Sequence, residues 1–433
     1  MLANIYRRAK IINMRLGYFI WEYPPRIVGG LGTYAENICP AILDLGHDIS
    51  VFTMNDGTLK TREVLNGIDV NRPMLVDGSN ILPLFLTEDL RRWDSGTKFF
   101  NDVLIYNILS ATKFVNELIK KEGYEFDIVC AHDWLSAMAG MMIKQETGLP
   151  FVLHLHSTEW GRSLGGGSAV IRHIEETAAN VADRVITVSY PMHEDLTRHG
   201  FDAAKISVCW NGINLDKYDL KKLEDKEIQT LRNKYGIGAE EKMLLFVGRL
   251  TAVKGIVNLV KAMHMVTIKH PEAKLVILGK GELEQTVSEL ITKLNVGEKV
   301  KTRFEFVSEE ERILHYGACD IAVCPSLYEP FGIVSLEAMA MRKPVVVGAS
   351  GISGFKDQVI PSGHERTGVH VDGGSKADIA WGINTLLENV QKAKEMGKRG
   401  RLRVEKYFSW EKAAERTIAI YEDVIREVEG EKK

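Results

Sequence analysis

The chain has 433 residues, 55 Lys and Arg against 58 Asp and Glu for a net charge of −3, and 45% apolar residues, an ordinary globular composition. So balanced a charge supplies no basic surface for a nucleic-acid backbone. The longest apolar runs, 135–143 and 334–341, are about half the roughly 20 residues that a membrane helix needs; nucleic-acid binding and membrane spanning are both disfavoured. At roughly 100–200 residues per domain the length suits two or three domains, each with its own core. The five cysteines, Cys39, Cys130, Cys209, Cys319 and Cys324, are odd in number, scattered and without a CxxC pair, which predicts buried thiols in a reducing cytoplasm.

Residues 1–13 carry Arg7, Arg8 and Lys10, but the apolar run after Met14 is too short for a signal sequence. They are expected to be a flexible extension, with Met14 an alternative start. Short β-branched runs then alternate with longer helical stretches, which predicts parallel strands at 15–20, 48–53, 127–131, 151–156, 184–189 and 205–210. A charged stretch from 216 to 234 breaks the pattern, and strands resume at 243–247, 274–278, 303–307, 320–324, 344–347 and 368–371. The expected fold is α/β, two Rossmann-like, doubly wound parallel-sheet domains: a first domain over 14–215, a linker over 216–240 and a second domain over 241–408. Residues 409–433 read as an amphipathic helix opening on a Ser409 cap.

In such sheets ligands bind beyond the carboxyl ends of the strands, and the loops there carry the unusual residues. After the first strand comes PPRIVGGLGTY (24–34), a glycine-rich turn into a helix, where backbone N–H groups can approach an anion; a packing turn fits equally well. GRLTAVKG (248–255) places Arg249 and Lys254 around another turn, an arrangement that suits a departing diphosphate. No GxxxxGK[ST] loop is present, which argues against P-loop ATP hydrolysis. CPSLYEPFGIVSLEAM (324–339) presents Glu329 in a Pro-flanked turn, opens a helix at Gly332 and sets Glu337 among apolar neighbours, where a carboxylate needs a partner, either ligand hydroxyls or a structural salt bridge. AHDW (131–134) and HLHSTEWGR (154–162) put His154 and His156 on one strand face. Further metal ligands at recognised spacings are missing, so a sugar-binding histidine is favoured over a metal site, with a core histidine the alternative for His154.

Together these segments, with NGIN, LGKGELE and ADRVITVSYPM, resemble the retaining nucleotide-sugar glycosyltransferases of the GT-B fold, namely the glycogen and starch synthases and the family-4 glycosyltransferases. The resemblance spans nearly the whole chain, and it implies two Rossmann-like domains facing a cleft, with a C-terminal helix crossing back to the first. It further implies that Arg249 and Lys254 neutralise the donor diphosphate, Glu329 faces the donor sugar, and Glu337 binds the ribose hydroxyls. Amides around Phe331, Gly332 and Ile333 would face sugar and phosphate, His156 would lie beside the sugar, and the loop of Gly29 and Gly30 would lie against the diphosphate. The bacterial synthases have a lysine two residues before the paired glycines, where this chain has Ile27, so ADP-glucose is not assumed.

The activity this implies is hexosyl transfer, glucosyl first, from a nucleotide-sugar such as UDP-glucose or ADP-glucose to an α-1,4-glucan. The alternative is a family-4 hexosyl- or mannosyltransferase acting on a soluble sugar or a lipid-linked or surface glycan, and behind it a UDP-sugar 2-epimerase or a silent sugar-nucleotide-binding module. The lipid version would dock through residues 1–13 or 81–85. No cofactor is expected and, with Asp-x-Asp absent, no catalytic metal. The nucleobase, the hexose and the oligomeric state leave no readable code.

Overall fold

The computed structural model describes residues 13–78, 80–81 and 95–431. The expected extension at 1–13 and the candidate docking segment 81–85 lie, but for Asn13 and Ile81, outside the described residues.

The first domain is built on an eight-stranded sheet in the order β3-β4-β2-β1-β5-β6-β7-β8. Its strands are β1 (Arg15–Phe19), β2 (Asp48–Phe52), β3 (Arg62–Leu65), β4 (Ile68–Asn71), β5 (Ile128–His132), β6 (Phe151–Leu155), β7 (Arg184–Thr187) and β8 (Ile206–Val208). All neighbours run parallel except β3 and β4, a hairpin turned by Asn66 and Gly67, both at positive φ. The second domain has six parallel strands in the order β11-β10-β9-β12-β13-β14: β9 (Lys242–Val247), β10 (Ala273–Leu278), β11 (Val300–Arg303), β12 (Ile321–Cys324), β13 (Val345–Gly348) and β14 (Gly368–Val371). Central strands such as β5 and β12 are buried at every position, because helices cover both faces of a parallel sheet. In each sheet the strand order reverses beside the first strand, between β1 and β5 and between β9 and β12, and ligand crevices form at such switch points.

One expected strand is displaced, and two elements were not foreseen. The β3–β4 hairpin was not foreseen, although Asn-Gly is a strong hairpin signal. The strand expected at 303–307 lies instead at Val300–Arg303, where it pairs with Leu275–Leu278 of β10. It is an edge strand of sequence VKTR, and charged residues blunt such edges, so its apolar signal is weak; in the apolar run beyond it Phe306 is 79% exposed. Residues 216–240, expected as the linker region, have regular structure of their own. They hold the helix Asp225–Lys234, closed by a Glu224–Glu227 capping box. The buried Arg232 guanidinium on that helix donates to the Ala318 and Glu241 carbonyls at 2.8 and 2.6 Å, which fastens the segment to the second domain.

The last helix, Trp410–Glu431, returns to the first domain and packs on the helix Gly30–Asp44. Its apolar stripe, including Ile418, Tyr421 and Val424, joins β1 and β2 residues in one core. All five cysteines are free and buried. Among the described residues no helix is long and apolar enough to cross a membrane.

Candidate active site

Adjacent strands β9 and β12 deliver two loops to the same edge of the second sheet. After β9 the chain makes a turn at Ala252–Lys254 and starts the helix Ile256–Lys269 through Gly255, at φ +70°. A Cβ on Gly255 would stand 2.0 Å from the Pro325 carbonyl oxygen, so glycine is what lets the two loops close. The Val253 carbonyl accepts from Leu327 N–H at 2.8 Å. This contact brings Lys254 Nζ to Glu329 Oε2 at 2.5 Å, and Ser326 Oγ donates to the same oxygen at 3.1 Å. Both bonds fall on Oε2, leaving Oε1 of a buried carboxylate outside this pairing. Arg249 is exposed and, among the described residues, makes no ion pair. Two cations thus stand at the edge of one loop, one anchored and one uncommitted.

The helix Ile333–Ala340 begins at Gly332, whose φ of +92° and close approach to the Phe355 ring exclude a side chain. Its first N–H groups have no partner within the helix and point out of its N-terminus, where an anion is favoured. One turn on, Glu337 is buried at 4% exposure and already well satisfied. Tyr218 and Tyr316 each donate a phenol hydrogen bond of 2.8 Å, one to each carboxylate oxygen, and Arg312 lies 3.2 Å from Oε1. Burial and the nearby carboxylate push both phenols well above their ordinary range. The structure therefore supplies the salt bridge that a buried glutamate requires; a ribose would have to share Glu337 with this cage.

On the facing domain, the helix Gly30–Asp44 opens at Gly29, and a Cβ at Gly29 or Gly30 would meet nothing within 4 Å. Internal packing does not require glycine there. The tight position is Gly32, against Ile27 and Glu22. The amides of Val28, Gly29 and Gly32 converge on Glu22 Oε2 at 3.0, 2.9 and 3.2 Å. The loop is an anion nest, as its sequence suggests, but it is occupied by the chain's own carboxylate. Arg26, the nearest cation, turns to Met54 Sδ at 3.2 Å.

His132, at the end of β5, joins His154 and His156 to form a buried cluster with ligand-capable atoms within 4.8 Å of one another. Spacing alone could not reveal this third histidine, because it comes from the neighbouring strand in register with His154. His132 Nδ1 meets His156 Nε2 directly at 3.0 Å, and His154 Nε2 meets the Tyr421 hydroxyl at 2.6 Å. These pairings hold the three rings in one cluster with Tyr421, while His132 Nε2 is buried without a partner. Asp133, at φ +55°, accepts the His156 and Ser157 amides at 2.7 and 3.3 Å and fixes the strand end.

Burial, with the neighbouring imidazoles behind it, holds His132 and His154 well below the ordinary imidazole value of 6.5. The folded state keeps them neutral while the unfolded chain protonates them near that value, so the unfolded state binds more protons and stability falls with acidification. The melting temperature should therefore decline as pH drops from 7 through 6 to 5, and His154→Asn should flatten that decline. Equal pH slopes for variant and parent in a melting series would refute it.

The two domains touch beside these loops. The Tyr328 hydroxyl accepts the Thr158 amide at 3.1 Å, and its ring packs so tightly on the helix Glu159–Arg162 that a Cβ on Gly161 would lie 2.1 Å from it. Ser189 Oγ donates to the Pro330 carbonyl at 2.6 Å, and Asp357 accepts from Tyr190 N–H and Trp210 Nε1, each at 2.9 Å. The residue before Glu329 thus locks directly onto the segment after His156. Sequence reasoning did not single out Tyr328, Glu22, Tyr218, Tyr316 or Arg312.

Both halves of the chain match known protein families. Residues 227–403 match the family model for glycosyl transferases group 1, and residues 28–217 match that for glycosyltransferase family 4. An uncharacterized glycosyltransferase of Methanocaldococcus jannaschii is 32% identical over 416 residues, covering 94% of this chain and 98% of the relative. The α-maltose-1-phosphate synthase of Mycolicibacterium smegmatis is 30% identical over 430 residues, covering 95% and 100%. Among solved structures, the sucrose-phosphate synthase of Thermosynechococcus elongatus superposes with a TM-score of 0.74 at 23% identity, over 95% of this chain and 99% of that one.

Proposed function

The chain belongs to the GT-B glycosyltransferases, with a family-4 first half and a group-1 second half, and on that footing we propose that it is a retaining glucosyltransferase that extends an α-glucan from a nucleotide-glucose donor. The observation that carries this reading is the Lys254–Glu329 pair beside the uncommitted Arg249 at the switch point of the second sheet. In the proposed complex Arg249, Lys254 and the amides opening the helix at Gly332 and Ile333 take the diphosphate. Its charge grows as the glycosidic bond breaks, and preorganised donors stabilise such charge most where water is excluded. Glu329 keeps Lys254 in place through Oε2 and offers Oε1 to the sugar hydroxyls. His156, held by Asp133 and His132, borders the sugar from the first domain. These cations supply the charge that a divalent metal supplies elsewhere, so transfer is proposed to be metal-independent.

A second reading has a specific support. The Mycolicibacterium relative, matched over its whole length, is named for a product that carries a phosphate, which favours a phosphorylated glucose as acceptor. One assay separates the two: nucleotide release from UDP-glucose, ADP-glucose, GDP-glucose and GDP-mannose in EDTA, with glycogen, with glucose 1-phosphate, or with neither. Release that needs glycogen supports the glucan reading. Release that needs glucose 1-phosphate replaces it with the second, and consumption of GDP-mannose alone overturns both.

A further inference from the structure

A cavity of about 290 Å³ opens in the second domain at the amino ends of its strands, where Lys242 starts β9, Ile321 starts β12 and Pro344 precedes β13. Lys254 and Glu329 lie beyond the carboxyl ends of those strands, so this cavity is not part of the cleft. Its volume falls just short of the roughly 300–1,000 Å³ typical of small-molecule sites. The floor is aliphatic, from Leu220, Ile321, Pro344, Leu386 and Val390.

Five cations surround it, Lys242, Arg342, Lys343, Lys394 and Lys398, against the single carboxylate of Asp320. That carboxylate is committed, since Oδ2 accepts the Met243 amide at 2.8 Å and the Arg232 guanidinium at 3.1 Å. Lys343 is tied to the Gly317 carbonyl and Lys398 to Glu395, both at 2.8 Å. Among the described residues, Lys242, Arg342 and Lys394 make no ion pair.

Arg342 is the most informative of the three. The helix Ile333–Ala340 ends in a left-handed turn, with the Arg342 amide bonded to the Met339 carbonyl at 3.0 Å and the Lys343 amide to the Ala338 carbonyl at 2.9 Å. The residue at the centre of that motif has positive φ and is ordinarily glycine. Here it is an arginine at φ +58° that lines the cavity and, among the described residues, makes no ion pair. A local rule broken without a structural return marks a functional position.

We infer that this cavity binds a nucleoside monophosphate at a site separate from the catalytic cleft. The phosphate meets Arg342, with Lys242 and Lys394 beside it, as a guanidinium fork suits phosphate oxygens. The ring lies on the aliphatic floor. A flat base fits that floor, whereas a polyhydroxylated sugar would find only one carboxylate, already engaged.

The test is calorimetric titration with AMP as the probe. The distal site should bind AMP whatever base the cleft prefers. A saturating nucleoside diphosphate of another base occupies the cleft, and Arg342→Gly should then weaken AMP binding by roughly 10–100-fold, the usual loss for a charge-assisted contact. Inorganic phosphate should bind the distal site at least about tenfold more weakly than AMP, since it cannot cover the floor. Because glycine suits the backbone at 342, Arg342→Gly should melt at or above the parent temperature and keep transfer activity. Unchanged AMP binding in Arg342→Gly overturns the inference. So do equal affinities for AMP and phosphate, or a lowered melting temperature accompanying lost binding.

Discussion

Replacing either Arg249 or Lys254 with alanine should lower kcat by roughly 10²–10³-fold, the usual loss when one preorganised donor is removed from developing charge. The structure separates the two in a second measurement. Arg249 is exposed and makes no ion pair among the described residues, so Arg249→Ala should lose turnover at an unchanged melting temperature. Lys254 neutralises Glu329, a carboxylate only 7% exposed. Its removal leaves a buried charge with Ser326 alone on Oε2, so Lys254→Ala should lose stability as well as turnover. Steady-state kinetics beside thermal melts reads both effects. Turnover near the parent value in both variants would remove the diphosphate role from this loop and with it the proposed mechanism.

The architecture was legible because its signals are local. Short apolar runs of the kind seen in β9 and β12 lie between helical stretches, and the turns that follow carry the glycines and cations. What stayed hidden depends on contacts across the chain. Residues 303–307 read as a strand from composition, yet the ladder with β10 fixed Val300–Arg303 instead. Glu329 and Lys254 were recognisable as a set, but their direct bond follows from a glycine at 255 that admits the Pro325 carbonyl. His132 was visible only as part of a motif after another strand, and registration of β5 with β6 makes it the neighbour of His154. The nest at Gly29 was anticipated as an anion site; that Glu22 fills it could not be read from a spacing of seven residues. Pairings between distant segments set which functional atoms are free, and these have no one-dimensional signature.

Glu337 carries the second large effect, and it separates two roles that the sequence left open. The carboxylate ties Tyr218, from the segment between the domains, to Arg312 and Tyr316 on the helix Glu309–Ala318. Glu337→Ala takes from the half-buried Arg312 guanidinium its partner at 3.2 Å, leaving Glu309 at 3.9 Å, and takes from each phenol its acceptor at 2.8 Å. Breaking one side of a buried pair costs about 3–5 kcal/mol, roughly 10 °C in melting temperature for a domain of this size. Glu337→Gln keeps the shape and an acceptor for one phenol, so it should lie between the alanine variant and the parent. If the same carboxylate also holds the donor ribose, the glutamine variant, assayed well below its melting point, should raise the KM for the donor with kcat largely retained. That pattern marks binding shared by ground and transition states. A glutamine variant with parental KM but reduced melting temperature would make Glu337 a purely structural clamp. An alanine variant that melts with the parent would show instead that the cage contributes nothing, and that burial of this carboxylate is offset elsewhere.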